Sequence, residues 1–115
     1  MNEETRRNTL IIDIIRWAIT ITETKDFTVD VDIIGFVGCL RVTLYNKGIE
    51  ERINLIDTRS CFNYPAIRQN PLQEEDFKEL NEKLEKCLHT LNDLLIGKLT
   101  FDDLRKQQNE LTTKD

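Results

Sequence analysis

The sequence predicts an α+β domain made of a helix, a three-stranded antiparallel sheet, a long second helix and a short final helix. Three observations predict it. Apolar residues recur at three- and four-residue steps near the start and again beyond Phe77, they alternate with polar residues between Phe27 and Asp57, and Asn/Gly positions punctuate the alternating stretch. A chain of 115 residues fits one compact domain and is too short for two that each bury a good core. The expected domain is 1–106, with 107–115 a polar tail that frays.

The first helix is expected from about Glu4 to Thr22, with Leu10, Ile11, Ile14, Ile15, Ala18 and Ile21 as its stripe. Ile12 and Ile19 fall outside the stripe, which predicts burial on more than one side. Its many β-branched residues lower intrinsic helix propensity, so packing has to hold it. The period becomes two at Phe27, where Phe27, Val29, Val31 and Ile33 alternate with Thr28, Asp30 and Asp32. Gly35 and Gly38 bracket a turn, and Leu40, Val42 and Leu44 make the inward set of a second strand. Asn46-Lys47-Gly48 reverses the chain through residues that tolerate positive φ, and a third strand follows over about Ile49 to Asp57 with Ile53 and Leu55 inward.

The segment from Thr58 to Leu72 has no period and reads as a long irregular connection, a kind of loop that often carries function. It is also the one locally basic stretch, with Arg59 and Arg68 beside Cys61, Phe62, Tyr64 and Ile67 and no acidic residue between Asp57 and Glu74. Asn70 and Pro71 suit the cap and first turn of the second helix. Phe77, Leu80, Leu84, Cys87, Leu88, Leu91, Leu94 and Leu95 form its unbroken stripe, and Gly97 stops it. Thr100, with Asp103 three residues on, starts a short helix that contains Phe101 and Leu104.

Composition narrows the function. No run of about 18 apolar residues exists, which argues against a membrane span, and the acidic start Met1-Asn2-Glu3-Glu4 lacks the basic region of a signal peptide. A cytoplasmic location is expected. Cys39, Cys61 and Cys87 are odd in number and lack framework spacing, as reduced thiols would. A net charge of -5 disfavours direct contact with nucleic acid and favours a basic protein partner.

No catalytic residue, metal site or cofactor is expected. The lone histidine, His89, stands two residues from Cys87 and therefore on a different side of the helix. Gly35-x-x-Gly38 is no phosphate loop, and its plain reading is a turn. Asp30 and Asp32 share a strand face about 6–7 Å apart, which suits a divalent cation or a metal-dependent hydrolase but equally a solvated or partner-facing surface. The candidate partner-binding residues are Asp30 and Asp32, the acidic start of the second helix at Glu74, Glu75, Asp76 and Glu79, and Arg59 and Tyr64 of the loop. Arginine and aromatic side chains are the usual interface anchors. The bland alternatives are a solvated helix face and a loop whose Phe62 and Ile67 plug the core.

The element order is similar to that of the double-stranded-RNA-binding domain. That family presents lysines at the start of its second long helix, whereas Gln73-Glu74-Glu75-Asp76-Phe77-Lys78-Glu79 here would repel phosphate. The chain also resembles, in size, acidity, element order and the junction Thr24-Lys25-Asp26-Phe27-Thr28-Val29, the small phage-encoded inhibitors of bacterial defence of the type II-A anti-CRISPR kind. That resemblance implies a non-catalytic inhibitor that covers a basic site on a nucleic-acid-binding defence protein. The alternative expectation is a small adaptor or chaperone-like module that forms a homodimer through the leucine stripe or Trp17.

Overall fold

Asn2 starts the first helix, since its Oδ1 accepts from the Thr5 N–H at 2.7 Å and satisfies one of the donors a helix start leaves open. The computed structural model describes residues 2–34, 38–58, 61–63 and 71–113, the last five of these as backbone. The elements are α1 (Glu3–Thr24), β1 (Thr28–Ile34), β2 (Cys39–Asn46), β3 (Glu51–Thr58), α2 (Glu74–Leu95) and α3 (Phe101–Thr113). The fold class and order are those the sequence predicts.

The strands form one antiparallel sheet in the order β1-β2-β3. Val29 pairs with Leu44 and Val31 with Val42, while Leu44 pairs with Ile53, so the inward residues meet across the sheet. The register shifts between Val42 and Thr43: Thr43 faces Asn54, Val42 faces Ile56, and Leu55 is the extra residue of a bulge. The bulge corrects the expected inward pair, because Ile53 and Ile56 are the buried residues of β3 and Leu55 is only half-buried. The loop before β3 also differs from expectation. Glu50, at φ 48°, supplies the left-handed residue rather than Gly48, whose N–H instead donates to Asn46 Oδ1. Consequently β3 starts at Glu51 and leaves Ile49 exposed.

Both long helices pack on one face of this sheet, α1 against β1 and α2 against β3, and their buried residues join those of the strands in one continuous core. The helices run in the same direction. Glu3 of α1 meets Glu74 and Asn81 of α2, Arg6 pairs with Glu85, and Trp17 lies beside His89 and Asn92. Most of the leucine stripe of α2 packs in this core: Leu84 and Leu91 are wholly buried, while Leu88 and Leu95 are half-buried. One stripe of α1 (Leu10, Ile14, Ala18, Ile21) is buried as expected. Ile12 and Ile19, expected to be covered as well, are half-exposed because nothing described packs beyond β1 on that flank.

Each end of the sandwich is closed differently. At one end Phe101 of α3 meets the Phe27 ring at 5.9 Å between centroids, and Arg105 bridges to Glu51 at 2.7 Å. Thr100 and Asp103 form the expected reciprocal cap of α3, and the helix spans Phe101–Thr113. At the opposite end the buried Arg7 guanidinium lies between the Phe62 and Phe77 rings, 5.3 and 4.9 Å from their centroids, and donates to the Cys61 carbonyl at 3.0 Å. Cys61 N–H in turn donates to the Gly38 carbonyl. Phe62 thereby plugs the core's end, and Asn63 Oδ1 accepts from Leu72 N–H to bring the chain back towards α2. That helix begins three residues later than Pro71 suggests, because Asp76 Oδ2 accepts from the Gln73 N–H and makes Gln73 the cap; Asn70 lies outside the described residues.

Leu84→Ala should lower stability by about 2–5 kcal/mol, whereas Ile33→Ala, at a half-exposed site, should change it by less than about 0.5 kcal/mol; urea unfolding of both variants checks the assignment of the core. Arg7→Lys should cost more than about 1 kcal/mol by the same assay despite keeping the charge, since an ammonium cannot stack between two rings and still reach both Cys61 O and Asn8 Oδ1.

Candidate functional site

Alternation along β1 decides where its carboxylates go. Val29 and Val31 line the groove towards α1, so Asp30 and Asp32 project from the opposite, helix-free face of the sheet, where both are exposed. Their neighbours across on β2 are Thr43 and Arg41. Thr43 is engaged with Asn54 at 3.0 Å, and Arg41 with Asp57 at 3.5 Å. Among the described residues neither Asp30 nor Asp32 has an ion pair or hydrogen bond through its side chain.

The second expected cluster sits elsewhere. Glu74, Glu75, Asp76 and Glu79 are exposed at the start of α2, in the helix layer, and are therefore not on the sheet face that carries Asp30 and Asp32. Two of the four have local structural tasks. Glu74 Oε1 accepts from the Glu3 N–H at 2.8 Å, and Asp76 caps Gln73. Because α1 and α2 start side by side, two positive helix ends adjoin, and Glu3, Glu4, Glu74, Glu75 and Asp76 offset them. The acidity of this end is thus explained by the parallel helices. Glu3 is held below the usual carboxylate range chiefly by the hydrogen bond from Asn81, with Arg6 adding to the effect.

Cys61 and Phe62 of the loop are committed to the core. Cys61 is fully buried and Phe62 packs under Arg7, while Arg59, Tyr64 and Arg68 lie outside the described residues. Burial pushes the thiols of Cys61 and Cys87 up to about 12 each, so both are protonated at neutral pH and poor nucleophiles. Cys61 and His89 do not meet. Cys61 is tied to Arg7, and His89 lies beside Trp17, about 15 Å further along α1. Among the described residues no group of three or more His, Cys, Asp or Glu stands close enough to hold a metal ion, so Asp30 and Asp32 gain no further ligand. No described helix is long and apolar enough to cross a membrane.

The residues that were not among the expected site lie on the other face of β1 from Asp30 and Asp32. A groove of about 300 Å³ runs between α1 and the outer edge of β1, lined by Ile15, Ala18, Ile19, Thr22, Glu23, Val29 and Val31. Ile19 of this groove is half-exposed, as are Ile12 of α1 and Ile33 of β1. Their signal in the sequence was the surplus of isoleucine on α1 outside its main stripe. No family model, curated protein or solved structure matches this chain.

The lowered value of Glu3 implies a pH dependence of known sign. The contribution is complete above the unfolded carboxyl's value near 4.5 and is lost as pH falls through the lower folded value. Urea midpoints measured from pH 7 down to pH 3 should therefore fall less steeply for Glu3→Gln than for the parent chain.

Proposed function

We propose that this chain is a non-catalytic binding protein that engages a basic partner through the β1 side of its sheet, and that it acts in the cytoplasm as an inhibitor by occupying a site the partner uses for nucleic acid. The observation that carries the reading is the pair Asp30 and Asp32: exposed, unpaired among the described residues, and set beside half-exposed apolar residues on an outer strand. Carboxylates attract a basic groove at long range, and adjacent apolar surface gives the encounter something to bury. A nucleic-acid-binding defence protein of phage hosts is the partner class to which the sequence resemblance points.

The acidic start of α2 has a smaller share in this reading, since Glu74 and Asp76 already serve the helix ends. Charge reversal separates the two surfaces. Asp30→Lys with Asp32→Lys should slow association by about tenfold or more at low salt, an effect that shrinks as salt rises, with the fold unchanged by circular dichroism. Glu75→Lys with Glu79→Lys should have a much smaller effect. Surface plasmon resonance against an RNA-guided nuclease and an unrelated basic nucleic-acid-binding protein provides the rates; unchanged, salt-insensitive rates in the first variant would leave Asp30 and Asp32 as a merely solvated face.

A further inference from the structure

The two edges of the sheet are not equivalent. β3 is interrupted by the bulge at Leu55, and its start is engaged by Arg105 of α3. Bulges spoil an edge for further pairing. β1 pairs with β2 in unbroken register over all seven of its residues, so it is regular enough to template another strand.

The direction of its free hydrogen-bonding groups follows from one contact. Val29 N–H donates to Thr22 Oγ1 of α1 at 3.0 Å and so points away from β2. In an antiparallel strand the groups of alternate residues point the same way, which directs the N–H and C=O of Val31 and Ile33 to the outer edge. Among the described residues none has a partner there. Thr22 closes the edge at Val29, and beyond it, among the described residues, the edge is open alongside the apolar groove and the half-exposed Ile33.

Charge selects the occupant. A second copy pairing edge to edge about Val31 would set Asp30 of one chain opposite Asp32 of the other and gather four carboxylates on one face, and like charges directly opposite are destabilising. A strand with lysine or arginine at those positions meets the same carboxylates favourably. Its alternate residues would fall on the groove face, beside Val31 and Ile15, where apolar side chains fit. Resting on the proposed function, we infer that the β1 edge binds an extended segment of alternating apolar and basic residues from the partner protein, which adds as a fourth antiparallel strand. Main-chain bonds to Val31 and Ile33 hold the segment, the groove takes its apolar residues, and Asp30 and Asp32 take its cations. Register is fixed because a one-residue slip would put the cations into the groove.

The test uses the full chain and a short synthetic peptide alternating valine with lysine, together with two isomers N-methylated at one or the other alternate set of backbone nitrogens. Fluorescence polarisation should show binding of the parent peptide and a loss of about tenfold or more for one isomer only, because only one set of amides faces the edge. Amide exchange by NMR should slow at Val31 and Ile33 on adding the parent peptide. Equal behaviour of the two isomers, without slowing at Val31 and Ile33, would overturn strand addition; if Asp30→Lys with Asp32→Lys still weakened capture of the basic partner, the proposed function would survive that result. Absence of peptide binding overturns the inference, and absence of any charge-reversal effect on partner capture overturns the proposed function as well. A dimer in sedimentation experiments whose interface protects Val31 and Ile33 would show that a second copy takes the edge, and would also overturn it.

Discussion

Everything above the sheet depends on two helices starting side by side. Parallel neighbours align their dipoles and bring two sets of unsatisfied N–H groups together, an arrangement that costs free energy unless negative charge is placed among them. Glu3 is central to that placement. Its carboxylate and its carbonyl both accept from the wholly buried Asn81, and its N–H donates to Glu74. Four residues along, Arg7 closes the core between two rings. Among the described residues no carboxylate answers Arg7. A carbonyl, an amide oxygen and two aromatic faces hold its charge instead. The N-terminal turns of α1 and α2 and the chain leaving β3 are joined at this one place.

Much of the fold was legible because its signals are local. The 3.6-residue stripe of α2, the two-residue alternation of β1 and β2, and the Thr100/Asp103 cap each lie within a few positions of sequence, and each forms as read. What was not legible depends on partners distant in sequence. The bulge that exchanges Leu55 for Ile56 is set by pairing with β2, and no feature of β3 alone reveals it. Gln73 is the cap of α2 because its N–H donates to Asp76, a pairing that competes with the proline signal at Pro71.

The candidate site divides along the same line. That Asp30 and Asp32 share a face follows from strand period, and the structure places them so. That the carboxylates at the start of α2 have a task inside the fold required knowing that α1 begins beside them. Ile12 and Ile19 show the converse. A surplus of apolar residues reads as burial from sequence, yet the strand order leaves this flank at the margin of the sheet. Their half-exposed state is comprehensible once β1 is seen to be an outer strand with a groove beside it.

The bulge at Leu55 has a consequence for stoichiometry. A sheet with two regular edges is a bifunctional unit, able to accept a strand on each side and so to grow without limit. Interrupting one edge makes the unit monofunctional, in the sense that a monofunctional reagent ends a polymer instead of extending it. With β3 disrupted and β1 regular, a sheet that bound by pairing strands, as proposed, would have a valence of one, and its complex would terminate at a single partner.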